Sequence, residues 1–258
     1  MEINNTPAPV YARANTLRGS VDALTTAWQA EGVEFKARQF QWSPLVFELQ
    51  RHPPLATLGS FQRGLFYLQD PSTLLAAKEI EPRGGESILD LCAAPGGKTT
   101  YIAQLTSNQA TVVAEDVQPA RLALVKENAS RLGARIEMGP ADPERKFDSI
   151  LIDAPCSNTG ALRRRVDLRW RLREGDIAKL VGTQLKLLET AARRVRPGGA
   201  ILYSTCSLEA EENQEVTRKF VAGRPEFSIE LEKELWPFRD GVDGAYVARL
   251  RHQGPSQR

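Results

Sequence analysis

From residue 86 onward, short apolar runs alternate with amphipathic stretches of helical periodicity. This alternation predicts βαβ units and therefore a doubly wound, parallel α/β sheet. Residues 1–84 are broken by Pro and Gly and predict a smaller α+β domain with a helix over 21–31, so that the larger domain spans 85–258. Its predicted strands are 87–91, 111–116, 134–138, 147–153, 200–203 and 242–250. One predicted helix follows the first of these strands and ends at about residue 105, and the other predicted helices span 118–132, 176–195 and 208–221.

The composition excludes several classes of protein. No apolar stretch approaches the roughly 18 to 20 residues that a membrane helix needs, and residues 1–20 are polar, without the apolar core of a signal peptide. The three cysteines are an odd number without framework spacing, which argues for a reducing environment. Because there is no CxxC pair and there are only two histidines, we expect no metal site. The composition therefore favours a cytoplasmic protein without membrane contact.

Two of the cysteines follow predicted strands. Cys156 comes shortly after the strand over 147–153, and Cys206 comes shortly after the strand over 200–203. The carboxyl ends of parallel strands are where α/β enzymes keep their chemistry. A thiolate in that place is a candidate nucleophile, although a free cysteine is more commonly a small buried hydrophobe.

A glycine-rich turn, LDLCAAPGGKT over 89–99, follows the first predicted strand of the larger domain. Its small residues let a ligand approach the backbone, and the helix that it opens offers free amides. A phosphate-binding GxxxxGK[ST] loop would need glycine at Cys92, and a dinucleotide GxGxxG motif is absent. A methyltransferase turn remains, and it predicts an acid at the end of the second strand, where Asp116 stands beside Glu115. A turn without any ligand is the fourth interpretation.

Residues 161–173 concentrate positive charge in a chain whose net charge is only +2. Arginine with an interleaved aromatic side chain suits contacts to phosphates and bases. The alternative is a solvated surface around a packed tryptophan. The segment contains Arg163, Arg164, Arg165, Arg169, Arg171 and Arg173 against Asp167, with Trp170 among them.

These segments together resemble the RNA cytosine-5 methyltransferase family, which includes ribosomal RNA and Sun-type enzymes. LDLCAAPGGKT, DAPCSNTG (153–160) and YSTCSL (203–208) look like its cofactor, fourth and sixth motifs. The flanking segments that are also similar to the family are RANTLRG (13–19), FYLQDPS (66–72) and DGAYVARL (243–250). The resemblance covers roughly residues 10–250.

The resemblance implies a Rossmann-like, S-adenosylmethionine-dependent enzyme that methylates carbon 5 of a cytosine in RNA, with ribosomal RNA favoured over transfer RNA. It implies that Cys206 is the nucleophile, that Cys156 assists release of the product, and that Asp153 contacts the cytosine. The domain over 1–84 would position the RNA. The residues expected to bind the cofactor are Cys92, Ala93, Ala94, Pro95, Gly96, Gly97, Lys98, Asp116, Asp142 and Asp153.

The chain departs from the family pattern at three points. Asn158 stands where the fourth motif carries a small residue, and Val166 stands where proline is usual. Pro140 follows Gly139 where an acid is usual, and we expect Asp142 to take over the contact of that acid with the adenine side. The chain also starts where the RNA-binding extensions of the family end. It is therefore either a minimal member or a fragment, and a separate RNA-binding partner is one of the alternatives.

Three other functions remain open from the sequence. An amino-group methyltransferase would need no thiol and commonly carries an Asn/Asp-Pro-Pro-aromatic motif, whereas this chain has Asp-Ala-Pro-Cys at 153–156. A DNA cytosine methyltransferase also uses a Pro-Cys nucleophile, which Pro155 and Cys156 formally offer, but the YSTCSL segment favours RNA. A ribosome-assembly factor would bind RNA without turnover, and the presence of Cys206 argues against it.

Overall fold

The computed structural model describes residues 2–173 and 175–254, and within these ranges the chain forms a four-stranded and a seven-stranded sheet. No helix in the same ranges is long and apolar enough to span a membrane. The strands are β1 (Val10–Ala14), β2 (Glu34–Phe40), β3 (Ser43–Arg51), β4 (Phe66–Leu68), β5 (Ser87–Asp90), β6 (Thr111–Ala114), β7 (Ile136–Met138), β8 (Phe147–Asp153), β9 (Val195–Thr205), β10 (Phe227–Leu235) and β11 (Ala245–His252). The helices are α1 (Val21–Ala30), α2 (Gly59–Gln62), α3 (Ser72–Glu79), α4 (Gly97–Leu105), α5 (Pro119–Leu132), α6 (Leu168–Arg171), α7 (Asp176–Arg194), α8 (Gln214–Gly223) and α9 (Pro237–Asp240).

The smaller sheet has the order β2-β3-β1-β4, and each neighbouring pair is antiparallel. Helix α1 packs against it through Trp28, whose side chain is fully buried. The indole contacts the rings of Phe35, Phe47 and Phe66 at centroid distances of 5.1, 5.4 and 5.2 Å. These aromatic contacts give the small sheet a hydrophobic core of its own.

The larger sheet has the order β10-β11-β9-β8-β5-β6-β7. Strands β5 to β9 pair in parallel, and alternate side chains along them point to opposite faces. Helices α3 and α4 cover the face that carries Ile88 and Leu151, and helices α7 and α8 cover the face that carries Leu89 and Ile150. The predicted doubly wound α/β fold is therefore confirmed. One part of the prediction is wrong, because β10 and β11 join the sheet antiparallel.

Two elements start five or more residues away from their predicted first residues. Strand β9 begins at Val195, which already pairs with Phe147, and the ladder shifts register before it continues from Ala200. Residues 197–199, which lie between the predicted helix over 176–195 and the predicted strand over 200–203, thus form an irregularity inside the strand, with Gly198 at a φ of 79°. Helix α8 starts at residue 214 rather than 208, because a 3₁₀ turn at Ala210–Glu212 precedes it.

The two sheets are joined by side chains of β1 and the turn that follows it. The buried guanidinium of Arg13 donates to the carbonyl of Gly97 at 3.0 Å and to Oε1 of Gln69 at 3.1 Å. The amide of Asn15 donates to the carbonyl of Leu132, the last residue of α5, at 2.8 Å. Burial lowers the pKa of Arg13 to about 10, which still leaves it charged at neutral pH. The small sheet is therefore fixed against the start of α4.

Helix α3 lies within the predicted N-terminal domain but packs on the larger sheet. Its Leu74 and Leu75 are buried in the same cluster as Ile88 and Ile102. The division of the chain at residue 84 remains a prediction.

Candidate active site

The loops that follow β5, β8 and β9 meet at one edge of the larger sheet. Strand β5 pairs with β8 at Asp90 and Leu151, and β8 pairs with β9 at Asp153 and Ser204. Ligands of doubly wound proteins bind at the carboxyl ends of the strands. The strand order therefore brings the glycine-rich turn, Asp153 and both cysteine segments to the same place.

Two carboxylates hold the turn between β5 and α4. Asp90 is buried and accepts hydrogen bonds from the hydroxyl of Thr99 at 2.7 Å and from the amide of Cys92 at 3.3 Å. Asp116 accepts from the amide of Ala94 at 3.2 Å. These three contacts satisfy backbone or hydroxyl donors that the turn itself leaves free. The conformation of the turn is thus fixed by acids at the ends of two neighbouring strands.

The turn lines a cleft of about 270 Å³. A Cβ on Gly97 would lie 3.2 Å from the ring of Tyr67, so glycine keeps this wall open. Helix α4 begins without a side-chain cap, and its free amides suit an anionic group such as the carboxylate of S-adenosylmethionine. The cleft residues from the turn and the strand ends are Asp90, Cys92, Ala93, Ala94, Pro95, Gly97, Lys98 and Asp153.

The opposite wall of the cleft comes from the segment after the small sheet. Tyr67, Leu68, Gln69, Asp70 and Thr73 line it, and the sequence interpretation assigned none of them to the cofactor. The available signal was the FYLQDPS segment, which resembles the family but carries no chemical motif. A wall made of backbone, amide and aromatic groups can be recognised in the folded structure but not in the sequence.

Three predicted cofactor residues lie outside the cleft lining. Gly96 is turned toward helix α5, where a Cβ would lie 3.3 Å from Val125. The Asp116 side chain is almost wholly buried, and an ion pair of 3.6 Å with Arg121 adds to its contact with the turn. Asp142 is exposed, and its Oδ1 accepts from the amide of Glu144 at 2.9 Å. The structure therefore does not bring Asp142 to the cleft, and its contact with the adenine side remains a prediction.

The buried position of Asp90 predicts how stability changes with pH. Burial, only partly offset by the bond from Thr99, raises the pKa of Asp90 to about 7 from an ordinary 3.8. Between about pH 4 and pH 7 the folded chain then holds a proton that the unfolded chain has lost. The free energy of unfolding should therefore fall as pH rises, by up to about 1.4 kcal/mol per pH unit.

The Asp90→Asn variant isolates this contribution. It should flatten the fall in the free energy of unfolding across that window, as measured by urea denaturation at each pH. Parallel curves for the variant and the unchanged protein would contradict the assignment.

Lys98 connects the cleft with the cysteines. Its Nζ lies 2.6 Å from Oδ2 of Asp153. Burial lowers the pKa of Lys98, but the attraction of Asp153 outweighs it, and the net shift of the pKa is upward. Negative charge on Cys206 would favour the ammonium form further. The structure thus places a positive charge that is paired with Asp153 and within electrostatic range of Cys206.

The two cysteines behind this pair are in contact. Their Sγ atoms are 3.3 Å apart, and the amide of Cys206 lies 3.3 Å from Sγ of Cys156. The hydrogen bond with Cys206, together with burial, raises the pKa of Cys156 well above its ordinary value. Cys156 is therefore a thiol at neutral pH, whereas Cys206 is only half-buried. Burial also raises the pKa of Cys92, so this third thiol is no nucleophile at neutral pH.

A buried carboxylate that the sequence interpretation missed ties the two cysteine segments together. Glu212 is fully buried, and its side chain accepts from the amide of Ser157 at 3.0 Å and from the amide group of Gln184 at 3.0 Å. Its backbone carbonyl accepts from the hydroxyl of Tyr203 at 2.7 Å. These bonds explain why 210–212 forms a tight turn instead of the first turn of α8.

The arginine-rich segment divides into two parts. Arg163 is buried, and its Nε lies 3.0 Å from Asp243, while Arg164 contacts Asp243 at 2.6 Å and Asp70 at 2.7 Å. These two arginines cross-link the loops around the site. Burial takes Arg163 out of the arginines expected to bind RNA, whereas the side chain of Arg164 is 30% exposed and its contact with RNA remains a prediction. Trp170 is 77% exposed.

The other arginines of the segment lie at the surface. Arg169 donates to the side chain of Asn5, and Arg171 pairs with Asp167. Within the described residues, the side chains of Arg165 and Arg173 have no hydrogen-bond or ion-pair partner. They are the arginines best placed for a solvent-side contact.

The fold and the cleft define a class of protein, the Rossmann-like methyltransferases that use S-adenosylmethionine. The family described as 16S rRNA methyltransferase RsmB/F matches residues 77–251. The chain belongs to this family, which confirms the predicted resemblance and the predicted cofactor. Among residues 2–173 and 175–254, no group of three or more His, Cys, Asp or Glu side chains is placed to hold a metal ion.

Individual relatives agree with the family. The chain is 36% identical to ribosomal RNA small subunit methyltransferase B of Erwinia tasmaniensis over 268 residues, which cover 98% of the chain and 62% of that protein. It is 33% identical to the probable ribosomal RNA small subunit methyltransferase B of Bacillus subtilis, over 96% of the chain and 61% of that protein. The chain thus spans about three fifths of the length of these relatives.

Solved structures show the same architecture. A methyltransferase homolog protein from Pyrococcus horikoshii matches with a TM-score of 0.82 and 30% identity, over 97% of the chain and 88% of that protein. NSun6 from the same organism, solved with the S-adenosylmethionine analogue SFG, matches with a TM-score of 0.85 over 97% of the chain and 92% of that protein. Its 22% identity supports the fold alone.

Proposed function

We propose that this chain methylates carbon 5 of a cytosine in RNA, with ribosomal RNA favoured over transfer RNA, through a covalent bond between Cys206 and the base. The observation that carries the proposal is the contact between two thiols, 3.3 Å apart, at the ends of neighbouring strands beside the cofactor cleft. An amino-group methyltransferase has no use for either thiol. The names of the curated relatives support RNA as the substrate.

Each group at the site has a role in this reaction. The Cys206 thiolate adds to carbon 6 of the cytosine, which makes carbon 5 nucleophilic. S-adenosylmethionine supplies the methyl group from the cleft. Lys98 stabilises negative charge near the sulfur and orients Asp153, whose Oδ1 has no partner among the described residues and is available to the base. Asp116 contributes by holding the turn that binds the cofactor.

Release of the product requires that solvent water takes the proton of carbon 5 while the bond from carbon 6 to sulfur breaks. Cys206 then leaves as a thiolate. Cys156 remains a thiol at neutral pH and lies 3.3 Å from that sulfur, so it can donate its proton to the leaving group. The same contact makes Cys156 poorly suited as the attacking group.

The RNA would lie across the edge of the sheet where Trp170 is exposed. An exposed indole offers a stacking surface to an unpaired base, and Arg165 and Arg173 offer charge to phosphates. The domain over 1–84 would position the RNA from the other side of the cleft. A separate RNA-binding partner is one of the alternatives that this proposal includes.

Arg165 and Arg173 have no side-chain partner among the described residues, and neutralising both should weaken RNA binding in a salt-dependent way. For the Arg165→Ala/Arg173→Ala variant we expect the negative slope of log K against log salt concentration to become shallower by about 1.4, because each phosphate contact on single-stranded RNA contributes about −0.7 to it. Fluorescence anisotropy with labelled RNA measures the slope.

The matched control removes two exposed lysines from helix α7, as Lys179→Ala/Lys186→Ala, and should leave the slope almost unchanged. If both double variants make the slope shallower by the same amount, the arginine segment has no special role in RNA binding.

Bisulfite sequencing tests the proposal in cells, because 5-methylcytosine resists the conversion of cytosine to uracil. We expect at least one protected cytosine in ribosomal or transfer RNA to lose its protection when the gene is deleted and to regain it when the gene is restored. An unchanged profile would overturn the proposal and favour a non-catalytic role in ribosome assembly.

A further inference from the structure

Asn158 stands beside the proposed nucleophile, at a position where the family pattern has a small residue. Its Oδ1 lies 3.0 Å from Sγ of Cys206, and its Nδ2 donates to the carbonyl of Cys156 at 2.7 Å. A flip of the amide would set Oδ1 against the carbonyl of Cys156, and two acceptors repel each other. The bond to Cys156 therefore fixes which end of the amide meets the sulfur.

The loop does not need the Asn158 side chain to hold its shape. The amide of Gly160 donates to the carbonyl of Cys206 at 2.9 Å, and the amide of Leu208 donates to the hydroxyl of Thr159 at 2.9 Å. The bonds from Ser157 to Glu212 add to this frame. The backbone of Asn158 has a φ of 59°, a left-handed conformation that glycine adopts at lower cost. The chain thus carries an asparagine side chain at a position whose backbone conformation favours glycine.

The contact with Cys206 acts on the protonation of the sulfur. An amide oxygen is an acceptor only, so the bond exists only while Cys206 keeps its hydrogen. When the thiolate forms, the proton passes to solvent, and the lone pairs of Oδ1 then face a negative sulfur. The hydrogen bond to Asn158 is thus made by the thiol form of Cys206 and is lost in the thiolate form.

We propose that Asn158 is a positioning residue that holds Cys206 in its thiol form until substrates displace the amide. While the site is empty, the sulfur of Cys206 is thereby protected from reaction with electrophiles. The role assigned to Cys206 rests on the proposed function. The proposed consequence for the thiol concerns the protein by itself and requires neither RNA nor S-adenosylmethionine.

Alkylation of Cys206 by iodoacetamide, followed by peptide mass spectrometry, tests this directly, because only the thiolate reacts. Asn158→Gly should react about three- to fivefold faster than the unchanged protein at pH 7, the size expected for loss of one weak hydrogen bond, and its pH profile should move to lower pH. Asn158→Asp should react about tenfold slower, because a carboxylate disfavours a thiolate beside it.

Asn108→Gly is the matched control. Asn108 also has a left-handed backbone, with a φ of 60°. It lies in the turn between α4 and β6, at the amino ends of the parallel strands and therefore at the opposite end of the sheet from the cysteines. Its alkylation profile should equal that of the unchanged protein. Equal rates for Asn158→Gly and the unchanged protein at every pH would overturn the inference, as would slower alkylation of Asn158→Gly. Failure of the unchanged protein to methylate RNA would instead overturn the proposed function and leave the alkylation result standing.

Discussion

A Cys206→Ala variant is expected to lose methyl transfer to RNA by roughly 10⁴-fold or more, as other enzymes do when a covalent nucleophile is removed. Its affinity for S-adenosylmethionine should be retained, because Cys206 does not line the cofactor cleft and the pair of Lys98 and Asp153 stays in place. Cys156 cannot take over, since it is buried and held as a thiol. Transfer of labelled methyl groups measures the first effect, and calorimetric titration measures the second.

The Cys206→Ser variant separates the loss of the nucleophile from a loss of packing. Serine keeps a donor toward Asn158 and nearly the same volume, but its hydroxyl is a far weaker nucleophile than a thiolate. It should therefore be as inactive as the alanine variant while it unfolds at nearly the same temperature as the unchanged protein. Substantial activity in either variant would contradict the assignment of Cys206.

A Cys156→Ala variant should accumulate a covalent complex between protein and RNA that survives denaturation. Without the thiol that lies 3.3 Å from Cys206, the leaving sulfur lacks its proton donor, and the adduct at carbon 6 persists. A slowly migrating band on a denaturing gel, formed only when both RNA and S-adenosylmethionine are present, is the expected result. Peptide mapping should place the cross-link on Cys206.

The double variant Cys156→Ala/Cys206→Ala is the control for this experiment. It should form no band, because it has no nucleophile at the site. If the single variant gives no shifted band under conditions in which the unchanged protein methylates RNA, Cys156 has no role in release. A band that also forms in the double variant would show attachment through another residue.

Most of the larger sheet could be predicted from the alternation of apolar runs and helical stretches. Strands buried by helices on both faces are short and strongly apolar, as in β8 with Ile150 and Leu151. Strand β10 was missed because it is an edge strand with β11 as its one neighbour among the described strands, and of its nine residues only Phe227 and Leu235 are buried. Its charged side chains carry little of the signal that marks a central strand.

Part of the candidate site could be predicted from the order of the strands. Once β5, β8 and β9 are neighbours, residues placed just after them must meet, which brings together the turn, Asp153 and the cysteines. The roles of the arginines could not be predicted, because the partners of Arg163 and Arg164 are distant in sequence. Asp70 and Asp243 reach them only through the docking of the loops around the sheet.

Release of tritium from RNA that carries the isotope at carbon 5 of its cytosines tests the central claim most directly. Methylation at that carbon displaces its hydrogen, so in vitro transcribed ribosomal RNA should release tritium into water in step with methyl transfer, and both should vanish in the Cys206→Ala variant. Methyl transfer without tritium release would place the methyl group on another atom and would contradict the account.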